Sequence, residues 1–140
     1  MKYFYAGALA LLSVAAALSA QLSQSGGPAP AVVCNGSAFV EVTTQTTVQV
    51  VAGQANKSIY VCGFVVNSGG ATTARLVHGL GTNCATNPGN LTPAFKLTNG
   101  DSIAWGSGLG QVMKLPTSRA LCLTSSANPD VNVLISYAHF

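Results

Sequence analysis

Charge is what this chain has least of. Its 140 residues carry six Lys or Arg and three Asp or Glu, 6% charged in all, about a quarter of the usual share for a soluble domain. The mature cations Lys57, Arg75, Lys96, Lys114 and Arg119 stand singly, whereas a phosphate backbone needs them clustered. No basic amphipathic helix offers itself to a membrane surface either. Nucleic acid is therefore not an expected partner. The acids, Glu41, Asp101 and Asp130, are too sparse to announce the paired carboxylates of a glycosidase.

Other signatures are missing as well. No Gly-x-Ser-x-Gly elbow marks a nucleophile, and Gly106-Ser-Gly-Leu-Gly110 lacks the Lys-Ser/Thr ending of a phosphate cradle. No two cysteines lie within four residues of each other, so no zinc knuckle and no metal site is expected. His78 and His139 read as strand residues at a sheet rim, not as general bases. No cofactor is implied, and a small secreted hydrolase ranks third among the functional readings, so the expectation is a protein that is not an enzyme.

What is present begins with an address. Met1-Lys2 supplies a positive charge, residues 3–17 are apolar, and Leu18-Ser19-Ala20 are small residues before a polar break at Gln21. This is the pattern of a secretory signal helix. The competing reading is a retained anchor, since residues 3–20 reach the lower edge of a spanning helix, but no basic stop-transfer cluster follows. The expected organisation is a signal peptide over 1–20, an extended Gly/Pro arm over 21–33 and one β domain over 34–140. The expected location is extracellular or at a cell surface, periplasm and virion included, free of the membrane after cleavage.

An exported chain with four cysteines, Cys34, Cys62, Cys84 and Cys122, reads as a framework of two disulfides. Three pairings are open. Cys34–Cys62 with Cys84–Cys122 is preferred, because it ties the arm to a central strand and a Gly/Asn-rich loop to a late strand.

From Val32 onward no long 3.6-residue periodicity occurs. Short runs rich in Val, Ile, Thr, Phe and Tyr alternate with Gly, Asn and Pro, which is strand chemistry. Ala38, Val40 and Val42 share one face, with Phe39 and Glu41 on the other; Val48 and Val50 point inward from residues 46–51. Residues 58–66 are apolar on both faces, with Ile59, Val61 and Val65 on one side and Tyr60, Cys62, Phe64 and Val66 on the other. Such a run predicts a central strand covered on both faces. A strand over 74–80 leads to a long loop over 79–93, and shorter strands follow at 94–97, 102–105, 111–115 and 120–124. Asn99-Gly100 is the strongest hairpin signal. The last strand, 131–140, places Val131, Val133, Ile135 and Tyr137 on one face, with His139 ending that stripe. About nine short antiparallel strands predict an all-β sandwich of jelly-roll type, with an immunoglobulin-like order as the alternative.

Trp105 and Tyr60 have faces on which a sugar could stack, and Asn83, Asn87 and Asn90 bring amides to the long loop; core or subunit packing is the plainer role for both aromatics. Sequons at Asn35, Asn56 and Asn90 arise easily in an Asn- and Thr-rich chain, and no glycan is expected.

Ser58-Ile-Tyr-Val-Cys-Gly63, Gly79-Leu-Gly-Thr-Asn-Cys84, Gly108-Leu-Gly110, Ala120-Leu-Cys-Leu123 and Ser136-Tyr-Ala-His-Phe140 together resemble a group of small proteins of largely unassigned function from bacteriophage and environmental bacterial sequences. The resemblance covers about residues 34–140. It implies a β domain with a virion or surface role and supplies no catalytic residues, and the signal at 1–20 is a departure where phage members lack one. The reading is an exported, disulfide-stapled structural module that associates with copies of itself, with recognition of a neutral glycan or cell-surface partner as the alternative.

Overall fold

The computed structural model describes residues 32–107 and 110–140; the expected signal helix, most of the arm, and Gly108 and Leu109 lie outside the described residues. The compact β unit runs Ala31–Phe140. Ten strands follow one another: β1 (Gly36–Val42), β2 (Thr46–Val51), β3 (Ile59–Ser68), β4 (Thr72–Leu80), β5 (Thr86–Asn90), β6 (Phe95–Leu97), β7 (Ser102–Trp105), β8 (Met113–Lys114), β9 (Ala120–Ser125) and β10 (Val131–His139). A tight turn at Thr82–Cys84 joins β4 to β5.

All pairings are antiparallel. Sheet A has the order β1-β10-β3-β7, with β8 also on β3; sheet B has the order β2-β9-β4-β5, with β6 also on β4. β7 and β8 divide the length of β3 between them, and β5 and β6 divide that of β4. Each pair is thus one interrupted edge strand. Counted that way, eight strand positions alternate between the sheets in the order 1-8-3-6 and 2-7-4-5, which is the jelly roll.

The core lies between the sheets. Val131, Val133 and Ile135 of β10 face Leu121 and Leu123 of β9, joined by Ile59, Val61, Phe64, Val66, Leu76 and Leu115. Each such side chain contributes about 1.5–3 kcal/mol by leaving water. A smaller cluster of Val77, Cys84, Ala120 and Cys122 forms on the outer side of sheet B, where the Cys84–Cys122 disulfide pins the Thr82–Cys84 turn. Gly79 lies beneath that turn, where any Cβ would stand 2.7 Å from the Cys84 Cβ.

Three expectations need correction. Strict alternation fails in β3, because Gly63 pairs with Ser136 and Val61 with Tyr137, leaving Cys62 as an extra, bulged residue. A bulge shifts the parity of everything beyond it, so Ile59 and Val61 share the core with Phe64 and Val66, and Val65 turns outward. β3 is therefore not covered on both faces: the Cys34–Cys62 disulfide buries Cys62, whereas Val65 is half-buried and Asn67 exposed. The 79–93 stretch is not all loop, since β5 pairs with β4 there. Asn99-Gly100 does make a turn, with the Asp101 amide donating to the Thr98 carbonyl, but it joins β6 of one sheet to β7 of the other and so forms a corner, not a hairpin. In β2 a second bulge between Gln49 and Val51 adds Val51 to the core beside the inward Val48 and Val50.

Candidate functional site

The outer face of sheet A is the most distinctive surface. Alternation along β1 leaves Ser37, Phe39 and Glu41 exposed while Ala38, Val40 and Val42 turn inward. Strand register then lays residues out in rows across four strands. Phe39 pairs with Leu134, Leu134 with Val65, and Val65 with Ala104, an unbroken apolar row. On one side lies a polar row of Glu41, Asn132, Asn67 and Ser102. On the other side Ser37, Ser136 and Gly63 are in line, and small side chains leave a shallow groove of about 210 Å³ lined by Gly63, Val65, Gly106, Ser107, Leu134 and Ser136 among others. Phe39 is 63% and Leu134 52% exposed. An apolar row of this kind is the exception on a monomer's surface.

The groove exists because the β3 bulge interrupts the edge. Gly106 has φ +83°, and a Cβ there would collide with the Cys62 carbonyl oxygen and approach Gly63. The edge strand departs at Gly106 and returns where the Val112 amide donates to the Val61 carbonyl, 2.8 Å.

Tyr60 lies further along the same face, paired with Ala138 and Lys114. Its ring meets Phe140 edge-on at 5.5 Å, and the Lys114 Nζ sits 5.2 Å from the ring centroid, a cation–π contact. Trp105 faces the opposite way. It pairs with core-facing Phe64 at the sheet edge, with ring centroids 6.4 Å apart, and is 55% exposed. Phe64 in turn meets the Phe95 ring of β6 at a tilt, with centroids 6.3 Å apart. The two candidate stacking aromatics therefore occupy opposite faces of sheet A and form no common platform.

The loop asparagines serve the fold. Asn83 Oδ1 accepts from the Gln49 amide at 3.0 Å, Asn90 Oδ1 from the Arg75 guanidinium at 3.0 Å, and the Asn87 carbonyl from Arg119 at 2.7 Å. Asn83 and Asn87 also hold left-handed backbone, φ 51° and 48°, a conformation asparagine tolerates better than most residues.

Charge is sorted by end. The Ser68 amide donates to the Asp101 carbonyl and the Gly69 amide to the Asp130 carbonyl, while Glu41 pairs with Asn132, two residues beyond Asp130. The three carboxylates thus share the Ser68 end of the sandwich, with Lys96 near them opposite Thr73. The other end holds Lys57, whose carbonyl accepts from the Ser118 amide, together with Lys114, Arg119, His78 and His139. His139 pairs with Ile59 and Nε2 lies 3.1 Å from the Ala52 carbonyl. The ten residues of β3 separate the two groups by about 30 Å, so the histidines and carboxylates form no acid–base pair. Among the described residues no three His, Cys, Asp or Glu side chains converge as metal ligands.

Two groups have shifted pKa values. Burial, followed by the nearby Arg119 cation, pushes His78 below its ordinary 6.5, and its Nδ1 is buried with no hydrogen-bond partner. Hydrogen bonds from the Thr98 amide and hydroxyl to the Asp101 carboxylate hold Asp101 below its ordinary 3.8.

No protein-family model matches the chain, and no curated protein or solved structure matches it. The two disulfides fit an oxidising, extracellular environment, and among the described residues no helix is long and apolar enough to cross a membrane. Sequence reasoning passed over the apolar row because the bulge hides Val65's orientation; Phe39 and Leu134, both on the outward parity of their strands, were the available signal.

Proposed function

We propose that this protein is an exported structural module whose jelly-roll domain associates with copies of itself at a cell surface, in an extracellular filament or in a virion. The observation that carries the reading is the apolar row on sheet A, which no other part of the described domain covers. Very low surface charge supports it, since little repulsion opposes contact between copies, and the two disulfides suit a part that must persist outside the cell. Light scattering on the exported protein over a wide concentration range tests it. The mass should rise above that of one copy. A single-copy mass up to about 200 µM, where even weak specific contacts form, rules the reading out.

A second reading, recognition of a neutral glycan, is favoured by Trp105. Its half-exposed ring is held flat against Phe64 beside Gly106, a rigid aromatic face at a sheet rim. Monomeric protein whose Trp105 fluorescence responds to a sugar, with loss of the response in Trp105→Ala, would put this reading first.

A further inference from the structure

We infer that a second copy of this chain covers the outer face of sheet A, packed face to face and turned end for end. The inference rests on the self-association reading above and names its interface and symmetry.

Three observations converge on it. The first is a missing cover. β3 carries apolar residues on both faces, as a doubly covered strand does, yet within one copy only Cys62 and Gly63 of its outer side are buried, leaving Val65 half-buried beside the exposed Leu134 and Phe39. The second is shape. Phe39 and Leu134 form a ridge, and the Gly63–Ser136–Gly106 groove runs next to it. In an isologous pair the same patch meets itself about a two-fold axis, so each ridge has a neighbouring groove to enter.

The third is charge. Among the described residues two charged side chains stand on this face, Glu41 beside Asn132 and Lys114 beside Tyr60, at opposite ends of the strands and on opposite edges of the sheet. The Asp and Glu side chains of the described domain all lie toward the Glu41 end, with Lys96 as the one cation beside them among the described residues, and Lys57, Arg119 and both histidines lie toward the Lys114 end. A two-fold axis that lies in the interface and runs across the strands brings the acidic end of each copy over the basic end of the other. Each edge stays over its own counterpart, so Glu41 and Lys114 of the second copy are matched by end and stand about 14 Å apart across three strand steps. Parallel packing would set like ends together. Head-to-tail stacking would match the ends but leave the apolar row in water. The patch measures roughly 20 Å by 24 Å from strand spacing and rise, at the low end for a specific interface, so association in the micromolar range is expected.

The test is sedimentation velocity on the exported protein at low salt, comparing it with Leu134→Lys, Phe39→Ser, Glu41→Lys, Lys114→Glu and the double variant Glu41→Lys/Lys114→Glu. All four positions have exposed side chains, and thermal melting verifies that each variant is folded. The native chain should form pairs. Leu134→Lys and Phe39→Ser should each raise the concentration of half-dissociation by at least about tenfold. The two single charge changes should each weaken pairing several-fold, roughly threefold to tenfold, and the double variant should recover it to within about twofold. That recovery separates the matching of oppositely charged ends, which acts over this distance at low salt, from a loss of packing. Pairs or larger assemblies that withstand both Leu134→Lys and Phe39→Ser would overturn this interface while leaving self-association standing. Pairing with no recovery in the double variant would overturn the end-for-end arrangement. A single-copy native chain at every concentration would remove self-association and this interface together.

Discussion

Val65 pairs directly with Leu134 across β3 and β10, and both side chains stand on the solvent side of sheet A, while their neighbours Phe64, Val66, Val133 and Ile135 fill the core. The bulge at Cys62 creates this relationship. Without it, Val65 would share the inward parity of Ile59 and Val61, and the row from Phe39 to Ala104 would be broken in its third strand.

The bulge depends on Gly106. A side chain there meets the Cys62 carbonyl and the Gly63 Cα, at a backbone φ of +83°. Gly106→Ala should therefore destabilise the domain by about 2–4 kcal/mol, adding left-handed strain to a backbone collision. Gly100 has φ +82° with open space around it, so Gly100→Ala should cost only about 1–2 kcal/mol. Urea unfolding of the two variants measures the difference, and equal losses would show that the close approach at Gly106 is not a constraint.

The Cys84–Cys122 bridge spans 38 residues of sequence and buries the small outer cluster on sheet B. Its replacement by alanines should cost about 3–4 kcal/mol, the loop-closure entropy returned to the unfolded chain. The Cys34–Cys62 bridge spans 28 and should cost a similar amount. Denaturant midpoints of the two double-alanine variants test both values. A loss under 1 kcal/mol at Cys84–Cys122 would mean that the turn holds its place without the bond.

Acid should weaken the fold in two steps. His78 has a folded pKa below 6.5, so the stability tied to its neutral form is complete above pH 6.5 and is lost as pH falls through the lowered value. Asp101 has a folded pKa below 3.8, and its contribution is complete above that pH and is lost on further acidification. Melting temperature against pH should decline first below 6.5, and His78→Asn should flatten that first decline while leaving the second. An unchanged profile in His78→Asn would assign the first step elsewhere.

Much of the fold was legible in the residues. Period-two alternation marked β1 and β10, branched and aromatic runs marked β3 and β4, and turn residues separated the shorter strands, because strand sterics and burial act locally. The bulges were not legible: Cys62 and Val50 are set by long-range pairing with β10 and β9, and nothing adjacent in sequence announces them. β5, Thr-Asn-Pro-Gly-Asn, reads as loop by composition and becomes a strand only because β4 offers it an edge. For the site, Phe39 and Leu134 could be placed on outward faces from alternation alone. Their alignment with Val65 and Ala104, and the gathering of Glu41, Asp101 and Asp130 at one end, required the register.

The order of layers in an assembled pair tests the account most directly. Face-to-face packing stacks four sheets in the order B, A, A, B at about 10 Å per step. A single nitroxide on the outer side of sheet A, through Ser102→Cys, should lie about 20 Å closer to its counterpart in the second copy than one on the outer side of sheet B, through Thr73→Cys. Electron spin resonance distances measured on the exported protein at pairing concentrations supply both values. A shorter distance from Ser102 than from Thr73 is the predicted result; the reverse order, or no dipolar coupling at either position, would contradict the account.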